Sequence, residues 1–492
     1  MNNWKTCLMA TVALTCFGAV ESANAQAIYG GGATFPAPLY RQLFDCVTVR
    51  ADLPSPTAYA AGCPIQNPPY PYLMLYAPVG SSKGKKALAM HDASQLGNPS
   101  SSNTVPYRST KQPTAGQYPY PSFHFAGSDD PWLATDQALY ETNNGPANYG
   151  RIIQIPAVIG PVTIAFNGKD GTGNPLNIAN ATPTGGTSGL NLSRKALCGI
   201  FSGHITQWNN PILTAANNGT VLGNGPITVV HRSEGSGTNY IMTSALAAQC
   251  GSEFGPTNET DATLTLYEFP WSDNTVAVAQ CPALPYRGSN KNNWPDAGAV
   301  DQCGAAISNP GGGTFVGGQG NSGVVAAITA TNGAIGYSTS DYVKPVVPTG
   351  LMTANLQSEA DLGSATWTPP TAAAAAIGMQ SASPVFTAAT RTNPLNWSLQ
   401  AVAPNPKLPG AYPLVGFSFF DLYQCYASAT NASVIRQYLQ WHYSSGTANA
   451  VIQANGFALP PQNWLLEIQA LAFGADGIGV GGSGACAGKP GA

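Results

Sequence analysis

The sequence predicts an α/β fold, because short β-branched and apolar runs alternate with stretches that are compatible with helices. Four runs rich in Ile, Val, Thr and aromatic residues have the length and composition of buried strands. These strand candidates are residues 152–155, 162–166, 227–230 and 334–337. The chain has 492 residues, a length that predicts two or more domains.

Helix candidates alternate with these runs. They are residues 38–46, 85–91, 193–201, 240–248, 323–330 and 433–443. Segments rich in Pro, Ser and Asn at 51–72, 97–121 and 284–314 predict long surface loops or insertions. The Gly-rich tail, residues 474–492, is expected to be poorly ordered unless Cys486 ties it down.

Residues 1–25 have the pattern of a cleaved secretory signal peptide. Lys5 supplies the basic start, an apolar run covers 8–20, and Ala23-Asn24-Ala25 fits a small-residue cleavage site. The apolar run is too short to span a bilayer comfortably, and no later stretch qualifies. A lipid anchor at Cys16 is the weaker alternative, because the residues before it match a lipoprotein motif poorly. We expect an extracytoplasmic protein, periplasmic or secreted, without membrane insertion.

Eight of the ten cysteines lie beyond residue 25, and an even number in an exported chain predicts disulfide bonds. Cys46 with Cys63 and Cys281 with Cys303 are the preferred pairs, because each closes a short Pro- or Gly-rich segment. Metal binding is a weaker alternative, since the chain has no Cys-x-x-Cys motif and its five histidines are scattered. We expect no metal and no cofactor.

Charged residues make up only 9% of the chain, against roughly 25% in ordinary soluble proteins. The net charge of −3 gives no electrostatic footprint for nucleic acid or for an anionic membrane. We therefore expect no nucleic acid partner. An anion site in this chain would have to use local hydrogen bonds instead of a broad positive field.

The most informative motif runs from Val230 to Asn239, between a strand candidate and a helix candidate. Its glycines let backbone N–H groups approach a ligand closely, and a helix N-terminus carries partial positive charge. Ser236 and Thr238 add hydroxyl donors, and Arg232 supplies a planar fork that suits tetrahedral oxyanions. The motif favours an oxyanion cradle modestly over the alternative, an ordinary helix N-cap.

Two further turns precede helix candidates. In residues 30–38, the Thr34 hydroxyl and the N–H groups of Thr34 and Phe35 are placed to grip an anion. In residues 79–84, Ser81 is a hydroxyl donor at a helix start. Taken alone, a structural turn explains the first motif better, and a simple helix cap explains the second equally well.

Residues 125–132 contain the carboxylate Asp129. A carboxylate beside an anion site would repel the anion, unless the anion carries a proton. Hydrogen phosphate can donate an O–H hydrogen bond to a carboxylate, whereas sulfate is fully ionised near neutral pH and cannot. A site built this way would reject sulfate, because a buried carboxylate would stay unpaired beside a dianion. An Asx-turn or a helix cap is the alternative.

These four motifs, in this order, resemble the phosphate-binding proteins of ABC-type phosphate transporters (PstS-like proteins), a superfamily that includes the secreted DING proteins. The similarity spans about residues 28–345 in blocks, and the ordered set is far more specific than any one block. The further similar blocks are residues 154–162, 200–208, 320–324 and 333–337, with a weaker echo at 455–460.

The resemblance implies a two-lobed periplasmic-binding-protein fold of type II. Each lobe is then a mixed sheet flanked by helices, and a two-strand hinge joins the lobes, which close over a dehydrated phosphate held almost wholly by hydrogen bonds. The implied divisions are a signal peptide (1–25), the first part of lobe 1 (26–158), lobe 2 (159–343), a return to lobe 1 (344–473) and the Gly-rich tail (474–492).

The resemblance also implies eight phosphate-binding residues, with Phe35 and Gly237 donating through the backbone and Asp129 accepting the phosphate proton. These residues are Thr34, Phe35, Ser81, Asp129, Arg232, Ser236, Gly237 and Thr238. Glu234 stands where the family usually has an aspartate that positions the arginine. The longer glutamate stem is expected to shift the geometry of Arg232.

The implied function is capture of inorganic phosphate by a monomeric solute-binding protein, not an enzyme, that delivers it to an ABC-type phosphate permease. The alternative is a secreted or cell-surface interaction protein on the same fold, which the low charge, the long polar loops and the poorly matching residues 346–492 fit. A phosphatase is disfavoured, because Glu234 replaces the first glycine of a Gly-x-Ser-x-Gly elbow around Ser236. Tight binding of ground-state phosphate is also not catalysis.

Overall fold

The computed structural model describes eleven segments of the chain. These are residues 27–47, 72–97, 120–178, 187–250, 292–294, 299–300, 306–307, 313–343, 351–384, 386–397 and 402–492. The expected signal peptide, Cys63, Cys281 and Cys303, and most of the three expected loops lie outside the described residues.

Fifteen strands occur in this part of the chain. They are β1 Ala27–Gly32, β2 Leu73–Pro78, β3 Phe125–Ser128, β4 Ile152–Phe166, β5 Thr187–Leu192, β6 Thr228–Arg232, β7 Ala299–Val300, β8 Ala306–Ile307, β9 Thr314–Gly318, β10 Ala334–Thr339, β11 Met352–Leu356, β12 Val402–Ala403, β13 Val415–Tyr423, β14 Cys425–Tyr426 and β15 Gly479–Val480.

The α-helices of the same segments lie between the strands and after β13. They are α1 Ala37–Val47, α2 Ser81–Met90, α3 Ala134–Thr142, α4 Gly145–Tyr149, α5 Arg194–Phe201, α6 Pro211–Ala216, α7 Gly237–Gln249, α8 Gly320–Ala330, α9 Ser340–Val343, α10 Ala372–Gly378, α11 Pro394–Trp397, α12 Ala429–Ser444, α13 Gly446–Ala454 and α14 Gln462–Phe473.

Eleven of the described strands form one mixed sheet, in two groups that share β4. In the first group, β1 lies parallel to β2 and β3, and β13 runs antiparallel to β3 and β4. In the second group, β10 and β11 pair antiparallel with β4, while β6 and β9 extend from β10 in parallel. The expected α/β architecture is confirmed. The lobe boundaries and the hinge stay a prediction.

The long strand β4 joins the two groups. The strand candidates 152–155 and 162–166 are parts of this one strand, because the residues between them also pair with β13 as far as Pro161. All of its residues are buried. A strand covered on both faces shows a continuous apolar run instead of an alternating one.

The helices begin where the local capping chemistry places them. The helix expected from Tyr240 begins at Gly237, because the Ser236 hydroxyl caps it by accepting from the backbone N–H of Asn239 (3.3 Å). The helix expected from Gly323 begins at Gly320. Both extensions bring a helix N-terminus up to the end of the preceding strand.

The C-terminal tail is ordered. Cys425 and Cys486 form a disulfide bond, β14 pairs in parallel with β15, and the N–H of Ala492 donates to the carbonyl of Cys425 (2.9 Å). The condition set by the sequence, that Cys486 tie the tail down, is therefore met. A second disulfide joins Cys198 and Cys250, and Cys46 is also disulfide-bonded. The sequence did not indicate the 198–250 and 425–486 pairs.

No helix in the described segments combines the length and the apolar character needed to cross a bilayer.

Candidate anion-binding site

The sequence motifs meet at the carboxyl ends of the strands. β1, β2 and β3 end side by side, with Gly32 opposite both Pro78 and Gly127 in the parallel registers. Arg232 ends β6 and lies opposite Gly318 at the end of β9. Open α/β sheets bind ligands at this edge, where loops and helix N-termini converge.

Ser81, the first residue of α2, lies between the two groups of strands. Its hydroxyl accepts from the backbone N–H of Asp129 (3.2 Å) and of Gly237 (3.2 Å), and it donates to Asp129 Oδ2 (3.5 Å). Gly80 precedes it with φ 104°, a backbone conformation that favours glycine. Ser81 therefore links the loop after β3 directly to the start of α7.

Arg232 is fully buried and its guanidinium group contacts three side chains. Nε donates to Glu234 Oε1 (2.9 Å), as does Nη2, while Nη1 donates to Thr238 Oγ1 (3.2 Å) and Asn321 Oδ1 (3.5 Å). The same Glu234 oxygen accepts from the N–H of Gly320 (3.0 Å). The longer glutamate stem thus fixes Arg232 and also the start of α8, through charge-assisted hydrogen bonds.

At Gly237 the start of α7 packs tightly against residues of the first group. A Cβ at this position would lie 2.6 Å from Asp129 Cβ and 2.6 Å from Ser81 Oγ, so a larger residue would force these neighbours to shift. The N-terminal end of α7 therefore faces the carboxyl group directly. Partial positive charge at this end attracts anions and stabilises negative charge.

Asp129 is the one carboxyl group among the eight predicted residues. Its Oδ1 accepts from Ser418 Oγ (2.8 Å). Burial raises the pKa of Asp129 well above its ordinary value, and the neighbouring Asp130 raises it further. Hydrogen bonds from Ser418 and Ser81 and the charge of Arg232 lower it. A further donor placed beside this carboxyl group would stabilise its ionised form.

Phe35 and Thr34 complete the part of the site that the first group of strands contributes. The Phe35 ring packs edge-on against Phe457 (5.4 Å between centroids), and its carbonyl accepts from Thr339 Oγ1 (3.0 Å). Its N–H donates to no acceptor in the part of the chain that the structure describes. Thr34 Oγ1 accepts from the N–H of Asn321 (3.3 Å). The Phe35 N–H and the Thr34 hydroxyl hydrogen are both available as donors toward an anion.

Asn321 and Ser418 are site residues that the sequence did not indicate. The Asn321 amide contacts Thr238 Oγ1 (3.4 Å) and Arg232, and its backbone contacts Thr34. Its place at a helix start within a similar block was a usable signal. Ser418 gave none, because it lies inside β13 next to a register shift between Ser418 and Phe419. Such bulges re-aim side chains beside functional sites.

The assembled groups are suited to binding a tetrahedral oxyanion. They provide one arginine fork, several hydroxyl and backbone donors, the positive end of a helix and a single carboxyl acceptor. Within the described residues, no group of three His, Cys, Asp or Glu side chains is placed to hold a metal ion. This donor set can hold such an anion by hydrogen bonding.

Comparison with known proteins identifies the family. The PBP superfamily domain matches residues 19–445. A protein named phosphate-binding protein, from an unknown prokaryotic organism, is 29% identical over 94% of this chain and 99% of its own length. Alkaline phosphatase L of Pseudomonas aeruginosa is 28% identical over 89% of this chain and 86% of its own length.

Comparison with solved structures gives relatives of the same kind. The structure of a high-affinity periplasmic phosphate-binding protein, PfluDING, bound with phosphate, is 26% identical. It covers 92% of this chain and 96% of its own, with a TM-score of 0.58. The relatives thus include proteins named for phosphate binding and proteins named as phosphatases. With the domain match over most of its length, this chain belongs to the PBP superfamily.

Proposed function

We propose that this protein is an extracytoplasmic solute-binding protein that captures hydrogen phosphate. The observation that carries the proposal is a pair of hydrogen-bonded links at one edge of the sheet: Ser81 joins the buried Asp129 to Gly237, and Asn321 joins Thr34 to Arg232. Relatives named for phosphate binding, and one structure with bound phosphate, support this ligand. A periplasmic or secreted location follows from the same likeness and from the signal-like residues 1–25.

Each predicted residue has a role in this proposal. Arg232 and the N-terminus of α7 supply the positive charge, and Ser236, Gly237 and Thr238 bring their donors with it. Thr34 and Phe35 donate from the other side, and Ser81 does so when its hydroxyl hydrogen turns from Asp129 to the phosphate. Asp129 accepts the proton of the phosphate. Two lobes joined through β4 would close over the ligand, and a monomer would present it to an ABC-type phosphate permease.

Binding without hydrolysis is part of the proposal. Ser81 already accepts two N–H hydrogen bonds, which occupy its lone pairs and leave it a poor nucleophile. Ser236 accepts from Asn239 as the cap of α7. Because some relatives are named alkaline phosphatase L, the expectation needs a direct test.

We expect the purified protein to show no turnover of p-nitrophenyl phosphate above that of the Arg232→Ala variant. An Arg391→Ala variant serves as the control, because Arg391 pairs with Glu467 on a partly exposed surface. Hydrolysis that is lost in Arg232→Ala and kept in Arg391→Ala would mean that the site is catalytic.

Calorimetric titration with inorganic phosphate tests the binding function. Arg232→Ala should weaken binding by on the order of 2–5 kcal/mol, the cost of truncating one partner of a buried charge pair. Arg391→Ala should bind as tightly as the unmodified protein. No phosphate binding by the unmodified protein would favour the alternative, an extracellular interaction protein on this fold.

A further inference from the structure

Asn292 connects the two sides of the site from outside the recognised motifs. Its side-chain Nδ2 donates to Asp130 Oδ2 (2.8 Å). Its carbonyl accepts from the N–H of Ser236 (2.9 Å) and from Asn239 Nδ2 (3.0 Å). Asp130 follows β3 of the first group, whereas Ser236 and Asn239 open α7 of the second. One buried residue therefore bonds to both loops that flank the proposed phosphate site.

Trp294 fixes this segment to the second group. Its indole is buried and stacks on His231 (5.2 Å between centroids, 14° between planes) and on Tyr337 (5.8 Å, 29°). Both partners belong to second-group strands, β6 and β10. The segment is thus held on the second group by ring packing and by its carbonyl. Only the side-chain amide of Asn292 extends to the first group, where it contacts Asp130.

The acceptor on the first group, the Asp130 carboxylate, is fixed in place by an ion pair with Lys85. Lys85 Nζ contacts the same Asp130 Oδ2 (2.5 Å) and also Asp136 (2.8 Å), and all three anchor the loop after β3 to α2 and α3. A hydrogen bond donated to an ionised carboxylate is stronger than one between neutral groups. The contact of Asn292 with Asp130 is therefore a directed bond between two anchored elements.

We propose that Asn292 is a positioning residue that holds the phosphate site closed by bonding Asp130 across it. The inference rests on the proposed function, since it concerns retention of the same ligand. The sequence predicts that residues 284–314 are a surface loop or an insertion. In this proposal one residue of that segment, Asn292, contributes to the site. Asp129, which immediately precedes Asp130, is thereby kept against α7.

A bond made across the closed site should affect release of phosphate more than its capture. Most affinity differences between variants of one interface appear in the dissociation rate, because association depends on the open, unbonded form. Asn292→Ala removes the amide and keeps the carbonyl contacts. We expect the phosphate dissociation rate to rise about 10- to 100-fold, the scale of one hydrogen bond to a charged group, with the association rate unchanged.

Stopped-flow kinetics with inorganic phosphate on the full chain tests this inference. Asn292→Asp should raise the dissociation rate at least as much as Asn292→Ala, because it opposes Asp130 with a second carboxylate while keeping the shape. Asn293→Ala is the matched control, since Asn293 is the adjacent asparagine and is exposed. If Asn292→Ala does not fold, Asn292→Asp decides the question.

Two results would overturn the inference while the proposed function stands. One is a dissociation rate in the Asn292 variants within about twofold of the unmodified protein. The other is a loss of affinity that lies wholly in the association rate. Failure of the unmodified protein to bind phosphate would instead overturn the proposed function, so the two failures are distinguishable.

Discussion

Buried titratable residues make the stability of this protein depend on pH. Asp421, in β13, accepts from Ser128 Oγ (2.7 Å) and Gln154 Nε2 (2.6 Å). Burial raises the pKa of Asp421 to about 7, against the lowering effect of these hydrogen bonds and of Lys85. The folded protein therefore retains a proton on Asp421 at pH values where the unfolded chain has lost it.

This retention has a definite sign for stability. Between about pH 4 and pH 7 the folded state binds more protons at Asp421 than the unfolded state does, so its contribution to stability falls as the pH rises. The loss is at most about 4 kcal/mol for a shift of this size. His124 and His442, whose pKa values burial lowers to about 4, act in the opposite direction below about pH 6.5.

Because these contributions oppose each other, the informative quantity is the difference between two proteins. The free energy of unfolding of Asp421→Asn, minus that of the unmodified protein, should increase from pH 4 to pH 7. Urea unfolding at several pH values measures it, with exposed Asp476→Asn as the control. A difference that is flat with pH would show that Asp421 titrates normally.

At the scale of single residues, sequence similarity indicated the eight predicted site residues but not the residues that hydrogen-bond to them or to their neighbours. Ser418, Asn321 and Asn292 act through atoms of residues far away in the chain. The contact between Ser418 and Asp129, for example, spans 289 positions. A polar residue within an apolar strand, such as Ser418, gives no local signal of its partners, because its hydrogen bonds exist only once the chain has folded.

At the scale of elements, the start of α7 sets how closely the two groups approach. Gly237→Ala would place a methyl group into the space occupied by Asp129 and Ser81. Overpacking of this kind costs typically about 1–3 kcal/mol, so phosphate affinity should fall roughly 5- to 150-fold.

Gly446→Ala is the matched control for this prediction. Gly446 is also the first residue of a helix, follows a capping Ser445, and has nothing within 4 Å of its would-be Cβ. Calorimetry should find unchanged phosphate affinity in Gly446→Ala. Equal affinity in both variants would mean that the approach at Gly237 does not matter for binding.

Elements were predictable where local chemistry decides them. The candidates at 227–230 and 334–337 match β6 and β10, since β-branched runs suit buried strands. The strand β1, which ends in three glycines, lacks that signature, and in the aromatic-rich β13 the polar residues Ser418 and Asp421 interrupt it. Their strand conformation depends on neighbouring strands, and the buried polar residues of β13 are stabilised by hydrogen bonds with Ser128 of β3, with Asp129 and with Gln154 of β4.

At the scale of the whole molecule, the sequence indicated the α/β class, and the disulfide pairing came only from the structure. Cys198–Cys250 and Cys425–Cys486 close 52- and 61-residue separations, which no local spacing rule selects. The low overall charge also has a molecular consequence. Without a broad positive field, discrimination between anions has to come from the arrangement of donors and from the single acceptor, Asp129.

The most direct test of this account is calorimetric comparison of phosphate and sulfate binding at weakly alkaline pH, on the unmodified protein and on Asp129→Asn. The unmodified protein should bind phosphate and reject sulfate, because only phosphate brings a proton to the carboxylate. Asp129→Asn should lose phosphate affinity and gain sulfate affinity. A variant that binds sulfate no better and phosphate no worse would contradict recognition of the ligand by its proton.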